Sequence, residues 1–251
     1  MHYLCLKSCL EINRPEKIYL YYHYMPYGKF WDLIKQHLTL VKVDLNDFVS
    51  KFKYTRENKG CKKYSYAHHS DFIRLEKLHE HGGIYADIDT IFVNKIPDIL
   101  FEKNCVLGRE SDVICQSTMK KRPSLCNALI MCQKNSEFIK AWFEQMISYF
   151  NGSWSNHSTF LPYELSMQYP EHIHIEPEQT FYPFMWTKTD LDLLFKGNIS
   201  ELSQSVSIHL WSHLWWSKKR KDFSDFHADL LTEDFIRKVD STYNIIARRF
   251  L

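Results

Sequence analysis

The sequence of 251 residues lacks features that define several classes of protein. Its 32 lysines and arginines nearly balance 30 aspartates and glutamates, so no basic surplus is present to attract a nucleic acid. No window approaches the roughly 18 apolar residues that a membrane-spanning helix needs. The opening MHYLCLKSCL is too short and too polar for a signal peptide. We therefore predict a cytoplasmic protein with no nucleic-acid partner and no transmembrane segment; contact with a membrane surface stays open.

The seven cysteines also lack a recognisable pattern. Their number is odd, their spacing is irregular, and none of them form a CxxC pair. This argues against a disulfide framework and against a zinc site, and it indicates reduced, buried thiols. No repeat, low-complexity tract or linker divides the chain, so we predict a single domain over residues 1–251, which is long enough for a proper core.

Strand-like and helix-like segments alternate along the first half. KIYLYYHY (17–24) and TLVKVDL (39–45) have the composition of strands, whereas HYLCLKSCLEI (2–12) and FWDLIKQHL (30–38) are helical. This alternation predicts an α/β domain with a mainly parallel sheet. Residues 51–67 are polar, basic and unpatterned, and are predicted to form a surface loop.

The second half is predicted to contain two further strands, SLCNALIMC (124–132) and SVSIHLW (205–211). SEFIKAWFEQMISYF (136–150) has apolar residues at four-residue spacing, which predicts an amphipathic helix that starts at Ser136. Residues 151–159, NGSWSNHST, are predicted to form a loop. TEDFIRKVDSTYNIIARRFL (232–251) is predicted to be one helix with Thr232 as its cap.

The segment HHSDFIRLEKLHEHGGIYADIDTIF (68–92) contains the residues that indicate chemistry. Ser70 is a good residue for the N-cap of a helix, and Gly82 is the expected residue just past its end. Asp71 and Arg74 are three apart, so they share a helix face. On spacing alone, the simplest interpretation of this pair is a capping aspartate with a local ion pair.

GIYADIDTIFV (83–93) alternates like a strand, which would point Asp87 and Asp89 in the same direction. Two carboxylates on one face repel each other, and a divalent cation such as Mg²⁺ or Mn²⁺ resolves that repulsion because it prefers oxygen ligands. Removal of one carboxylate should then leave the metal-free protein equally stable or slightly more stable. The alternative is a pair of solvated loop aspartates.

The longer pattern resembles the donor-binding core of glycosyltransferase family 32, the group with a sugar-binding region containing a DXD motif. That pattern is Ser-Asp-x-x-Arg, a helix, Gly-Gly-x-Tyr and Asp-x-Asp. Here it consists of Ser70, Asp71, Arg74, Gly82, Gly83, Tyr85, Asp87 and Asp89. The resemblance continues through LCNALI, WSNHSTFLPYEL, IHLW and ARRFL, and is similar to that of soluble bacterial members. It implies a GT-A-like, Rossmann-type mixed sheet flanked by helices.

The resemblance also implies a role for individual residues. Asp89 would ligate the metal, and Asp87, with Tyr85 beside it, would contact the metal or the nucleotide ribose. Asp71 and Arg74 would hold the hydroxyl groups of the donor sugar, with Asn127 lining the sugar pocket. His209 would complete the metal shell, and Trp211 would reach the diphosphate. A structural histidine and a core tryptophan are the alternatives for the last two residues.

The implied activity is metal-dependent transfer of a sugar from a UDP- or GDP-sugar to a saccharide or lipid-linked acceptor, with Mn²⁺ or Mg²⁺ as the cofactor. The family retains the anomeric configuration, and its analogy favours front-face attack. Glu110 and Glu164 are the candidate carboxylate nucleophiles, although their spacing singles out neither. The family usually begins with an apolar strand of the IPKIIH kind, which is expected upstream of Met1 and helps to bind the base.

Two alternatives remain. ADIDTI also matches the Asp-x-Asp-x-Thr of haloacid-dehalogenase-type phosphatases, but the apolar strand before it is too short and the later acidic motif is poor. The second alternative is a non-catalytic GT-A remnant that binds a partner without turnover. Metal-dependent donor hydrolysis distinguishes a glycosyltransferase from both of them.

Overall fold

The computed structural model describes residues 1–44, 65–114, 121–199, 201–215 and 231–251. Its α-helices are α1 His2–Ser8, α2 Lys29–Ile34, α3 Ser65–His81, α4 Glu137–Tyr149, α5 Leu161–Gln168, α6 Glu178–Phe181, α7 Lys188–Phe195, α8 Ser212–Trp215, α9 Glu233–Lys238 and α10 Thr242–Ala247. Its strands are β1 Tyr19–Tyr22, β2 Thr39–Lys42, β3 Gly83–Ala86, β4 Thr90–Phe92, β5 Cys105–Ile114, β6 Lys121–Cys132, β7 His174–Glu176 and β8 Ser207–His209. Single π turns lie at Cys9–Asn13 and Asn156–Phe160, and short 3-10 turns lie at Lys35–His37, Asp98–Glu102, Pro170–His172 and Arg248–Phe250.

The described strands form a mixed set of sheets. The largest has the order β3-β6-β5-β7, in which only the β5–β7 pair is parallel. A parallel pair, β1–β2, and an antiparallel pair, β4–β8, lie beside it. The α/β class with a mixed sheet flanked by helices is thus confirmed, and the prediction of a mainly parallel sheet is wrong. The physical reason is that β5 and β6 follow each other closely in sequence, from Ile114 to Lys121, whereas a parallel pair needs a crossover of a dozen or more residues.

A bulge in β6 shapes the middle of the largest sheet. Leu107 of β5 pairs with Ile130, but the next residue, Gly108, pairs with Cys126. Residues 127–129 therefore leave the ladder with β5, and Asn127 is among them. Bulges re-aim side chains and are frequent next to functional sites.

Two groups of buried apolar residues hold the sheets and helices together. Helices α3 and α4 pack on one side of β5 and β6 through Phe72, Leu75, Phe138 and Trp142. Helix α1, the β4–β8 pair and α10 pack in the second group, which includes Val106 and Ile208. Burial of a large apolar side chain contributes about 1.5–3 kcal/mol, so both groups fix the strand ends that carry the polar residues.

The helix boundaries follow the predicted signals at some ends only. The Ser136 hydroxyl accepts a hydrogen bond from the Ile139 N–H and caps α4, as predicted. Thr232 caps α9, but the predicted single helix divides in two because Ser241 caps α10. Gly82 ends α3 with φ +69°, and its N–H donates to the carbonyl of Leu78 at 2.8 Å. This is the expected left-handed helix end.

Ser70 does not cap a helix, contrary to the prediction. It lies inside α3, where its hydroxyl donates to the carbonyl of Tyr66 at 3.1 Å. A serine within a helix commonly satisfies its hydroxyl in this way. Most of the predicted loop, residues 51–64, lies outside the described residues, and residues 65–67 are helical instead.

The described cysteines Cys5, Cys9, Cys105, Cys126 and Cys132 are free thiols; Cys61 and Cys115 lie outside the described residues. Among the described helices, none has both the length and the apolar character needed to cross a bilayer.

Candidate active site

The two aspartates of the Asp-x-Asp motif lie on a tight turn. β3 ends at Ala86 and β4 begins at Thr90, whose N–H donates to the carbonyl of Asp87 at 2.9 Å. The prediction of one continuous strand is therefore wrong at this point. β3 pairs with β6 whereas β4 pairs with β8, so the chain turns here from one sheet into another. β3 also lies at the end of the described strand order, not at the centre of the sheet.

The turn brings both carboxylates to one histidine. Nε2 of His209 lies 3.1 Å from Oδ1 of Asp89 and 3.7 Å from Oδ2 of Asp87. The strand pairing explains this approach, because His209 is the register partner of Thr90. The Leu210 N–H donates to the Asp89 carbonyl at 3.0 Å and fixes the two backbones beside each other. The side chains of His209, Asp87 and Asp89 are therefore close enough to bind one metal ion together.

The donor atoms fit a divalent cation. Oxygen atoms of Asp87 and Asp89 and a ring nitrogen of His209 lie within 4.8 Å of one another. Carboxylate and imidazole ligands suit Mn²⁺ and related ions, and Mg²⁺ accepts the carboxylates. The buried Nδ1 of His209 has no hydrogen-bond partner among the described residues, so within that part of the chain the polar contacts of the ring are on its carboxylate side. These residues could hold the metal that the sequence resemblance implies.

The electrostatics of the cluster depend on the direct pairing of Asp89 with His209. Burial alone would raise the pKa of Asp89, but His209 and the Ser212 N–H, which donates at 2.9 Å, hold that pKa well below its usual value. Burial would lower the pKa of His209, yet Asp89 and Asp87 raise it. The carboxylate of Asp89 is thus stabilised in the folded protein, and the expectation that its removal would be neutral or favourable is revised.

Asp87 lies in a different environment. Burial raises the pKa of its carboxyl, and Arg74 and His209 offset that effect only in part. The Tyr85 hydroxyl donates to Oδ1 of Asp87 at 2.5 Å, and a guanidinium nitrogen of Arg74 lies 3.3 Å from the same oxygen. Asp87 is therefore held in place from its protein side, while Oδ2 faces His209.

Arg74 connects the Asp-x-Asp turn to the Ser-Asp-x-x-Arg helix. Its Nη2 lies 3.2 Å from Oδ1 of Asp71, its Nη1 donates to the carbonyl of Asn127 at 2.5 Å, and its guanidinium stacks 4.4 Å from the centre of the Tyr85 ring. Burial would lower the pKa of Arg74, but Asp87 and the other neighbouring groups raise it. Asp71 and Arg74 therefore belong to a network that also includes Asp87, and do not form only the local ion pair that their spacing suggested.

Asn127 completes this group from the β6 bulge. Its side-chain amide donates to Oδ1 of Asp71 at 2.7 Å. The adjacent carbonyl of Ala128 accepts the N–H of Asp87 at 2.7 Å. The bulge thus joins the helix that carries Asp71 to the turn that carries Asp87, and it brings together the residues that the sequence implied for sugar binding.

Trp211, for which the resemblance implies a contact with the diphosphate, lies against His209. It is buried with φ +52°, and its indole N–H donates to the carbonyl of Phe184 at 2.9 Å. The ring packs with its centre 4.2 Å from that of His209. Because the N–H is already committed, Trp211 supports the orientation of His209 here and does not offer that donor to a diphosphate.

Sequence reasoning missed His157. This fully buried residue lies on the π turn before α5, and its Nε2 is 3.0 Å from Oδ2 of Asp71. The Trp142 indole N–H donates to the His157 carbonyl at 2.9 Å and holds the turn against the core. Burial would raise the pKa of Asp71, but Arg74, His157 and Asn127 lower it. The segment WSNHSTFLPYEL carries part of the family resemblance, but its pattern alone gives His157 no role.

The metal-ligand candidates and the Asp71, Arg74 and Asn127 group border one cavity of about 690 Å³, and His157 lies behind Asp71 outside its lining. Its lining includes Asp71, Arg74, Tyr85, Asp87, Asp89, Glu110, Asn127, His209 and Trp211. The two candidate carboxylate nucleophiles differ sharply in position. Glu110 lines the cavity. Glu164, on α5, does not line it, and its Oε1 lies 2.7 Å from Nη2 of Arg122.

Comparison with known proteins bears on the family resemblance. Residues 2–106 match the model of a family described as “Glycosyltransferase sugar-binding region containing DXD motif”. This region contains the whole Ser-Asp-x-x-Arg to Asp-x-Asp pattern, so the resemblance to DXD glycosyltransferases is confirmed.

The chain is also similar to individual proteins. It is 30% identical over 251 residues to “Glucan organizing enzyme 1” of Cryptococcus neoformans var. grubii serotype A. The aligned region covers 99% of this chain and 63% of that protein. The chain thus spans less than two thirds of the length of that relative. Among solved structures it is similar to “PaToxG Glycosyltransferase”, with 17% identity and a TM-score of 0.42, over 99% of this chain and 81% of that one. The family match and the relative together support a glycosyltransferase.

Proposed function

We propose that this chain is a metal-dependent, retaining glycosyltransferase that moves a sugar from a UDP- or GDP-sugar to a hydroxyl group of a saccharide or lipid-linked acceptor. The observation that carries the proposal is the convergence of two groups on one cavity. Asp87, Asp89 and His209 form a cluster suited to a divalent ion, and Asp71, Arg74 and Asn127 form a rigid polar group beside it.

The residues of the cluster would hold Mn²⁺ or Mg²⁺, which supplies charge to stabilise the leaving diphosphate. Asp89 and His209 would provide ligands, and Asp87 would add a ligand or contact the nucleotide ribose. The Arg74 guanidinium pairs with both Asp71 and Asp87, and these contacts hold the two carboxylates in position. Such preorganisation lowers the barrier because the polar groups need not reorient as charge develops.

Asp71 would orient the donor sugar through its hydroxyl groups. Its two oxygens already accept hydrogen bonds from Asn127 and His157, which fix the carboxylate plane while its remaining lone pairs can accept further bonds. Retention of the anomeric configuration is proposed from the family resemblance. The name of the 30% identical relative, a glucan organizing enzyme, adds a glucan to the acceptors worth testing.

The phosphatase alternative requires an accessible nucleophilic carboxylate at the first aspartate. Asp87 is instead held by Tyr85 and Arg74, and the family match supports the glycosyltransferase. The remnant alternative requires a site that binds without turnover, and the presence of both polar groups on one cavity supports turnover instead.

The test is donor turnover by the full chain. UDP-glucose, UDP-galactose, UDP-N-acetylglucosamine and GDP-mannose would each be incubated with Mn²⁺, Mg²⁺ or EDTA, and the released nucleoside diphosphate would be measured. We expect one donor to be turned over only with a divalent ion and to stabilise the protein by about 2.7 kcal/mol at 100 times its dissociation constant. Binding without turnover would support the remnant, and hydrolysis of a phosphomonoester with Mg²⁺ would support the phosphatase.

Stereochemistry needs a separate measurement. Proton NMR of the first product formed from an α-linked donor should show an α-linked sugar if the configuration is retained. A β-linked first product would contradict retention and leave the glycosyltransferase assignment intact.

A further inference from the structure

Glu110 is a buried carboxyl group in the candidate active site that the proposed roles do not use. Glu110 lies on β5 and is only 6% exposed to solvent. It borders the same cavity as Asp71, Asp89 and Asn127. Its register partner on β6 is Ser124, two residues before Cys126, where the bulge begins. Glu110 therefore faces the cavity from the strand next to the one that carries Asn127.

The surroundings of Glu110 differ from those of the other buried carboxylates. Asp71 and Asp89 each have a histidine within about hydrogen-bond distance, and Asp71 also has Arg74. By contrast, no basic side chain in the described ranges forms an ion pair with Glu110. Burial raises the pKa of its carboxyl, and hydrogen bonds from the neutral groups of Ser124, Cys126 and Thr159, together with the charge of His209, offset this only in part.

A buried carboxyl group that has no direct ion pair, and only a more distant charge such as that of His209, costs stability. A protein retains such a group where a ligand completes its hydrogen bonds. The candidate cation cluster does not include Glu110, because among the described residues Asp87, Asp89 and His209 are the group whose ligand atoms lie close enough together. A diphosphate is also an unsuitable partner, because like charges repel. A carboxylate only accepts hydrogen bonds, so a neutral ligand with hydroxyl groups as donors is the best partner for Glu110.

We infer that Glu110 binds the donor sugar by accepting hydrogen bonds from its hydroxyl groups, and so helps to determine which sugar is used. This inference rests on the proposed function. Asp71 and Asn127 would contact the sugar from one wall of the cavity and Glu110 from the β5 side. Sites that pair a buried polar group with a substrate hydroxyl reject analogues that lack it far more strongly than apolar pockets reject a missing methylene.

The test separates the sugar from the nucleotide. Dissociation constants would be measured by calorimetry with Mn²⁺ for UDP and GDP alone and for UDP-glucose, UDP-galactose, UDP-N-acetylglucosamine and GDP-mannose. The proteins compared would be the wild type, Glu110→Gln and the matched control Glu164→Gln, which changes the same group on a residue outside the cavity. A thermal unfolding curve for each variant would monitor the fold.

For Glu110→Gln we expect the dissociation constant of the preferred nucleotide sugar to rise at least tenfold, while that of the corresponding nucleoside diphosphate changes less than twofold. The melting temperature should be unchanged or higher, because a neutral amide relieves the cost of the buried carboxylate. Glu164→Gln should change neither affinity.

Two results would overturn the inference alone. One is an equal loss of affinity for the nucleoside diphosphate and the nucleotide sugar together with a lower melting temperature, which would make Glu110 structural. The other is unchanged affinity for both ligands. If the folded wild type binds no nucleotide sugar with Mn²⁺, the proposed function fails and this inference fails with it.

Discussion

The Nε2 atom of His209 lies 3.1 Å from Oδ1 of Asp89, although 120 residues separate them in the sequence. β4 and β8 pair antiparallel, and this pairing delivers the histidine to the aspartate turn. The same atoms that attract each other in the metal-free protein are the atoms that would ligate a cation. Metal binding therefore has to replace this hydrogen bond and its shared proton, because a histidine ligates a metal only in its neutral form.

The stability of the metal-free protein should depend on the charge of His209. Its pKa is raised in the folded state, so its contribution is fully present below its ordinary pKa of about 6.5 and is lost as the pH rises through the folded value. Urea unfolding in EDTA from about pH 6 to about pH 9 should show this decline. In His209→Gln the decline should be absent over that window. Equal slopes in both proteins would contradict the assignment.

Metal affinity should change in the opposite direction over the same pH window. A histidine binds a metal only in its neutral form, so the affinity for Mn²⁺ should rise as His209 loses its proton. Mn²⁺ titration in the presence of UDP or GDP at several pH values measures this. A pH-independent affinity would indicate that His209 is not a ligand.

Asp89→Asn should destabilise the metal-free protein by about 3 kcal/mol or more, because it leaves a buried histidine without its charged partner. It should also abolish metal-dependent turnover. The matched control is Asp98→Asn, which alters an exposed pair with Lys95 and should change the free energy of unfolding by about 0.5 kcal/mol or less. A variant as stable as the wild type would restore the view that the two carboxylates mainly repel each other.

His157 should act on catalysis by positioning Asp71. His157→Ala removes a hydrogen bond to a charged group, which is worth about 1.5–3 kcal/mol, so donor turnover should fall about ten- to hundredfold. Binding of UDP or GDP with Mn²⁺ should change little, since the metal cluster is untouched. His157→Gln can still reach the carboxylate and should restore part of the activity. Equal defects in the two variants would indicate a packing role instead.

The two glycines before the aspartate turn should respond differently to the same substitution. Both have positive φ, but a Cβ at Gly82 would lie 2.5 Å from the Lys134 nitrogen, whereas a Cβ at Gly83 has nothing within 4 Å. Each Gly→Ala change should cost about 1–2 kcal/mol for the left-handed backbone. Gly82→Ala should cost more because of the added clash. Denaturant unfolding of both variants tests this order, and equal losses would argue against it.

The parts of the fold that the sequence predicted depend on local signals. The strand at 124–132 and the helix after Ser136 follow from apolar periodicity and a cap, and the left-handed Gly82 follows from its place after a helix. The alternation of GIYADIDTIFV, however, is the same for one strand as for two short strands joined by a turn. Only the different partners of β3 and β4 decide between them, and pairing is a tertiary property.

The residues of the candidate site likewise fall into those that the sequence predicted and those that depend on tertiary contacts. The motif spacing and the resemblance identified Asp71, Arg74, Asp87, Asp89 and His209, and the structure places these side chains together. His157 and Glu110 approach the site through a π turn and a strand register, neither of which leaves a periodic signal. The commitment of the Trp211 indole to Phe184 likewise depends on a contact between segments that are distant in sequence.

The most direct test of the metal cluster is anomalous diffraction from Mn²⁺ in crystals grown with either UDP or GDP. We predict a manganese peak bonded to Asp89 and His209, adjacent to Asp87, with the direct hydrogen bond between Asp89 and His209 replaced by bonds to the metal. A manganese ion bound elsewhere, with the contact between Asp89 and His209 still closed, would contradict it.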